Sequence, residues 1–139
     1  MKTIAALIIL FVSLNTIAQD FSGEYISNFT TYKDEQNAKN NFEEKTNFNV
    51  SILFVDEHNG MIGIQDPRIP NKILVYEVTK FLNKVEGNGN TLYIYEAVTI
   101  HLQNPMDTKV ILYYNKNSEL DLMISDVESS QVFHNLKKV

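Results

Sequence analysis

Residues 91–102 read TLYIYEAVTIHL, and the way this stretch alternates decides the fold. Leu92, Ile94, Val98, Ile100 and Leu102 fall on one parity, whereas Tyr93, Tyr95, Ala97, Thr99 and His101 fall on the other. A repeat of two is the spacing of a β-strand, whose successive side chains point to opposite faces. The aliphatic parity is the one expected to be buried, which turns Tyr93 and Tyr95 toward solvent. Just upstream, Glu86-Gly87-Asn88-Gly89-Asn90 reads as a hairpin turn. The arm before that turn fits two patterns. Ile73–Val78 reads as strand, while Val78, Phe81, Leu82 and Val85 also fit helical spacing. Its β-branched content favours a strand, and a helix over 76–86 would make the fold α+β instead.

The same period runs on both sides. Phe48, Val50, Ile52 and Phe54 alternate with polar residues, then His58-Asn59-Gly60 marks a turn before Ile62 and Ile64. Matching the apolar faces calls for a three-residue loop closed by Gly60, with Glu57 opposite Met61 and Phe54 opposite Ile64. Val110–Tyr114 and Leu120–Ile124 form a second hairpin around Asn115–Ser118. Pairing Tyr114 with Glu119 there places Ile111 and Tyr113 on the face of Leu120 and Leu122. The first strand is expected over Gly23–Thr31 and the last over Gln131–Leu136, with Tyr32–Lys45 a long polar loop holding one helical turn.

The reading is an all-β fold, a single antiparallel meander of about eight strands. Short consecutive hairpins favour a closed or nearly closed barrel over the alternative two-sheet sandwich.

At the head of this meander stands Phe21-Ser22-Gly23-Glu24-Tyr25. It resembles the entrance of lipocalin-like barrels, where a glycine two residues before an aromatic opens the first strand and plugs the floor. Tyr25 takes the place of the usual tryptophan. The resemblance implies a cavity for a small apolar ligand.

Residues 1–18, MKTIAALIILFVSLNTIA, match a secretory leader: one cation at Lys2, an apolar run from Ile4 to Leu14, and small residues before the expected cut after Ala18. The apolar run is too short to span a bilayer, which takes about 20 residues. Export to the periplasm or medium is expected, with no membrane anchor and with residues 19–139 as one β domain. A composition rich in Asn, Ile and Lys points to a bacterial source.

Cysteine is absent, which removes disulfides, thiol nucleophiles and cysteine-ligated zinc together. Net charge is −5, and Arg68 is the single arginine. Phosphate backbones are bound by clustered cations, so nucleic acid is not an expected partner. HExxH, GxSxG, GxGxxG and phosphate-loop patterns are all missing, so no metal, cofactor or hydrolase triad is expected. His58 beside Asp56 and Glu57 reads as an exposed hairpin tip.

Two groups of residues stand out as candidates. Glu96 interrupts the aliphatic parity between Ile94 and Val98, and an even loop puts Glu77 on the same face. Two carboxylates in an apolar wall would have raised pKa values and could bind a ligand. Tyr76, Tyr93 and Tyr95 would form an exposed aromatic band suited to docking. The leading expectation is therefore a non-enzymatic exported barrel that binds an apolar or amphipathic small ligand. The alternatives are an interaction module that docks its aromatic face on another envelope protein, and a hydrolase or lyase using the paired glutamates.

Overall fold

The computed structural model describes residues 20–139. The expected leader, residues 1–18, lies outside the described residues. Ten strands follow in order: β1 (Gly23–Ser27), β2 (Phe29–Asp34), β3 (Phe42–Glu44), β4 (Phe48–Asp56), β5 (Asn59–Gln65), β6 (Ile73–Gly87), β7 (Asn90–Thr99), β8 (Asp107–Tyr114), β9 (Leu120–Ser125) and β10 (Ser129–Lys138). A single 3-10 turn, Ala38–Asn40, lies between β2 and β3. All pairings are antiparallel. Strands β1, β4, β5, β6, β7, β8, β9 and β10 close into an eight-stranded barrel through the β10–β1 pairs Tyr25↔Lys138 and Ile26↔Lys137. Strands β2 and β3 extend the sheet beyond β10. The all-β closed barrel is thus the observed fold, and the 76–86 arm is strand throughout.

The expected hairpin registers needed correction. In β4–β5, Asp56 pairs with Asn59 across a two-residue turn, and a bulge at Val55 brings Phe54 opposite Gly60. The bulge inserts the one residue that a two-residue turn lacks, so the apolar faces still coincide. Gly60 is needed here for space: a Cβ would come within 2.6 Å of the Leu53 carbonyl oxygen. In β8–β9, Tyr114 pairs with Leu120, one residue beyond the expected register. Val110 and Leu112 therefore face inward with Leu120, Leu122 and Ile124, and Ile111 and Tyr113 face outward. The first strand is divided at Asn28, where the buried Ser27 hydroxyl donates to the His134 carbonyl at 2.8 Å. The last strand is longer than expected at both ends. The Tyr32–Lys45 segment is only partly loop, since β2 reaches Asp34 and β3 pairs with it.

The largest correction concerns β7. Tyr93, Tyr95, Ala97 and Thr99 point into the barrel and are buried, while Leu92, Ile94 and Val98 lie half-buried on the outer wall with the exposed Glu96. The physical reason is charge. Glu96 on β7 and Asp107 and Lys109 on β8 share the outer parity, and cross-strand pairing locks those parities together. Burying an uncompensated charge costs several kcal/mol, more than leaving three aliphatic side chains partly wet. The tyrosine rings also fill a wide lumen.

One end of the lumen is closed. Phe21, fully buried, packs edge-on against Tyr93 at 5.0 Å and beside Tyr114 and Phe54. Above this plug, Val50, Ile62, Val78, Val110, Leu112, Leu122 and Phe133 fill the middle. At the other end the strands finish in the connectors 35–41, 66–72, 100–106 and 126–128.

Candidate ligand site at the barrel mouth

The open end holds a cavity of about 180 Å³. Tyr32, Tyr76, Thr99, His101, Thr108 and Gln131 contribute its polar and aromatic lining, with Leu102 and Met106 at its lip. Strand register explains the assembly. Tyr76 stands opposite Thr99 across β6–β7, and Tyr32 stands opposite Gln131 across β2–β10, so residues remote in sequence meet in one layer.

The loop that leaves β7 is tied down locally. Thr99 N–H donates to the Met106 carbonyl at 3.0 Å, and Met106 N–H donates to Thr99 Oγ1 at 2.9 Å. His101 is anchored at Nδ1, which lies 2.9 Å from both the N–H and the carbonyl of Val75. An unprotonated Nδ1 accepts from that N–H, and a protonated one donates to that carbonyl, so the ring keeps a backbone anchor in either state. Its edge meets Tyr76 at 5.4 Å. Thr108 donates to the Ser125 carbonyl at 2.8 Å and fixes the opposite rim. Burial pushes the Tyr76 hydroxyl above the usual phenol range, and the Asp126 charge adds to this, so Tyr76 remains a neutral donor. One step deeper on the Tyr32 face lies Thr30, whose fully buried hydroxyl has no hydrogen-bond partner among the described residues.

A second depression of about 450 Å³ runs over the rim onto the outer wall and shares Asp107, Thr108 and Asp126 with the mouth. Glu96 lines this outer groove. Glu77 is exposed on the same outer face, opposite Val98. Both glutamates therefore face away from the lumen, which corrects the expectation of carboxylates set in an apolar inner wall. Glu96 is flanked in register by Lys80 and Lys109. The expected aromatic docking band is corrected as well. Tyr76, Tyr93 and Tyr95 are all buried, and only Tyr76 reaches the cavity.

A separate array crosses the outer wall. His134 Nδ1 lies 3.2 Å from Asp121 Oδ2, and its Nε2 lies 2.9 Å from Thr31 Oγ1. Although the order carboxylate–imidazole–hydroxyl resembles a hydrolase relay, Asp121 is already committed. It accepts the Asn135 N–H at 2.6 Å and a bond from Tyr113. Asn135 sits at φ 52, so the carboxylate clamps a kink where β10 shifts register against β9. His58, at the β4–β5 tip, accepts the Phe81 N–H at 3.1 Å and caps the free edge of β6.

Comparison with known protein families, with curated proteins and with solved structures returned no match. The chemistry of the mouth is consequently read from its own side chains. They offer hydroxyl, amide and imidazole groups around a small space, bordered by apolar side chains.

Proposed function

We propose that the chain is an exported, non-catalytic binding barrel whose open end takes a small amphipathic molecule. The observation that carries this reading is the asymmetry of the lumen. One end is filled by Phe21 and Tyr25, and the other keeps about 180 Å³ lined by groups able to hydrogen-bond a guest. Such a volume is below the roughly 300–1,000 Å³ typical of drug-sized ligands, so the guest is small. The entrance at Gly23–Tyr25 supports a lipocalin-like reading of the barrel, with the polar mouth in place of an apolar cup. Amide chemical shifts of the purified 19–139 chain, followed while short-chain amphiphiles are added, test the proposal. Shifts confined to Tyr32, Tyr76, Thr99, His101 and Gln131 are expected. An unresponsive mouth counts against it.

A second reading, docking on another envelope protein, draws on the outer wall. Ile94, Ile111, Met123 and Val132 are direct cross-strand neighbours there, an aliphatic row four strands wide. Sedimentation with and without Ile111→Lys tests whether that row joins this chain to anything. Export itself is tested by N-terminal sequencing of the protein recovered outside the cytoplasm, with Gln19 the expected first residue.

A further inference from the structure

We infer that the free edge of β6 pairs with the same edge of a second copy of this chain. Residues 83–87 of the two barrels would form one antiparallel ladder about a two-fold axis at Val85. This edge lies at the plugged end of the barrel, so the inference is independent of what the mouth binds.

Strand β6 outruns its neighbour. Pairing with β5 ends at Val78, and the last bond on that side among the described residues runs from the Phe81 N–H to His58. Beyond it, residues 82–87 are all exposed, while β7 holds their other edge as far as Gly87↔Asn90. Bulges at Thr79 and Leu82 spoil the first part of this overhang as a template for pairing. Residues 83–87 pair with β7 without a shift, so the second part is a regular strand open on one side.

Hydrogen-bond phase fixes which groups are open. Asn88 and Gly89 have φ 54 and 80, the signs of a two-residue type I′ turn. Gly87 and Asn90, which close that turn, exchange their N–H and C=O groups, and bonded pairs alternate with unbonded ones along an antiparallel ladder. Gly87, Val85 and Asn83 therefore bond to β7, and Glu86 and Lys84 turn their N–H and C=O groups outward. With the axis at Val85, Lys84 meets the second copy's Glu86, and each such pair closes two backbone bonds.

Charge selects the same register. The Lys84 ammonium lies 3.0 Å from the Glu86 carboxylate and 5.6 Å from the centre of the Tyr93 ring, so both charges share one face of the strand. An axis at Val85 sets lysine against glutamate in both cross-strand pairs, with Val85 against Val85 on the opposite face. An axis at Lys84 or at Glu86 sets that residue against its own copy, and like charges directly opposite are destabilising. An axis between residues matches open groups to bonded ones. The edge is thus complementary to itself in the one register that the backbone phase and the charges both allow. Because the two strands run in opposite directions, each barrel lies beyond the other's turn and both mouths stay clear.

One short strand pair buries less than the roughly 1,200 Å² of stable complexes, so a dissociation constant on the order of 0.1 mM is expected. Sedimentation equilibrium and amide exchange of the 19–139 chain test it, from dilute solution to about 1 mM at low salt. Mass should rise toward that of a dimer. Exchange should slow with concentration at Lys84 and Glu86 but not at Val85. Lys84→Glu and Glu86→Lys should each weaken association about tenfold. An equimolar mixture of those two variants should restore it, and so should the double variant that exchanges the charges. The exchange pattern is read on the unaltered chain, so it decides even where a variant folds poorly. A monomer throughout, an association indifferent to these charges, or protection confined to another edge or to the Ile111 row overturns the proposal. A mixture that associates no better than either single variant overturns the register.

Discussion

The Tyr25 hydroxyl donates to the backbone carbonyl of Phe21 at 2.8 Å, and both rings are buried at the closed end of the barrel. A residue that precedes the first strand is thereby built into the core. Phe21→Ala is expected to cost about 3–5 kcal/mol, the range for emptying a buried aromatic site. Tyr25→Phe keeps the ring and loses one hydrogen bond, so about 1 kcal/mol is expected. Urea unfolding of the two variants checks the order.

Tyrosine ionisation sets the alkaline limit. Burial, as the main cause, raises the hydroxyls of Tyr25, Tyr76, Tyr95 and Tyr113 above their ordinary value, with the Asp121 hydrogen bond and charge adding at Tyr113. An unfolded tyrosine loses its proton near pH 10. Since the folded values are higher, the unfolded chain is the first to release protons as pH rises. Stability from these groups is fully present below about pH 10 and is lost as pH climbs through the folded values. Phenolate absorbance from these four should therefore rise only together with unfolding.

The inside–outside parity of β7 makes a paired prediction. Tyr95 packs against Phe54 and Phe81 inside, at 5.1 and 5.3 Å, so Tyr95→Ala should cost about 3–5 kcal/mol. Its neighbour Glu96 is exposed, and Glu96→Gln should stay within about 0.5 kcal/mol. Thermal melts that reverse this order would place the glutamate inside.

Asp121 is predicted to act as a clamp. Asp121→Ala strands the Asn135 N–H and the Tyr113 and His134 donors together, at about 2–4 kcal/mol. Asp121→Asn keeps an oxygen for the Asn135 N–H and should cost less. Asn135→Gly should be neutral or slightly stabilising, because φ 52 suits glycine. Denaturant midpoints of the three variants distinguish this clamp from a catalytic role, which would leave stability unmoved.

Strand content was legible because it is a local pattern. Alternation at Phe48–Phe54 shows directly in the sequence, and so do the turn clusters between strands. Registers were less legible. The two-residue turn and the bulge at Val55 move the partner of Phe54 from Ile64 to Gly60, the longer turn before Leu120 shifts its hairpin by one residue, and the residues at these points carry no distinctive signal. The site was the least legible. Tyr32, Tyr76, His101 and Gln131 lie on different elements and meet only because the barrel closes. Glu77 and Glu96 drew notice as charges among aliphatics, yet that pattern equally describes an outer wall.

By itself, then, the sequence determined a chain of alternating strands joined by short turns and free of cysteine. Periodicity and composition are properties of neighbours along the chain, and one sequence is enough to read them. Tertiary structure alone decided which parity faces inward, because both faces of β7 are apolar and the choice falls to charges on that strand and the next. It also decided that the plug sits at one end and a polar mouth at the other. A barrel must stagger its strands to close, and that stagger brings distant residues level with one another.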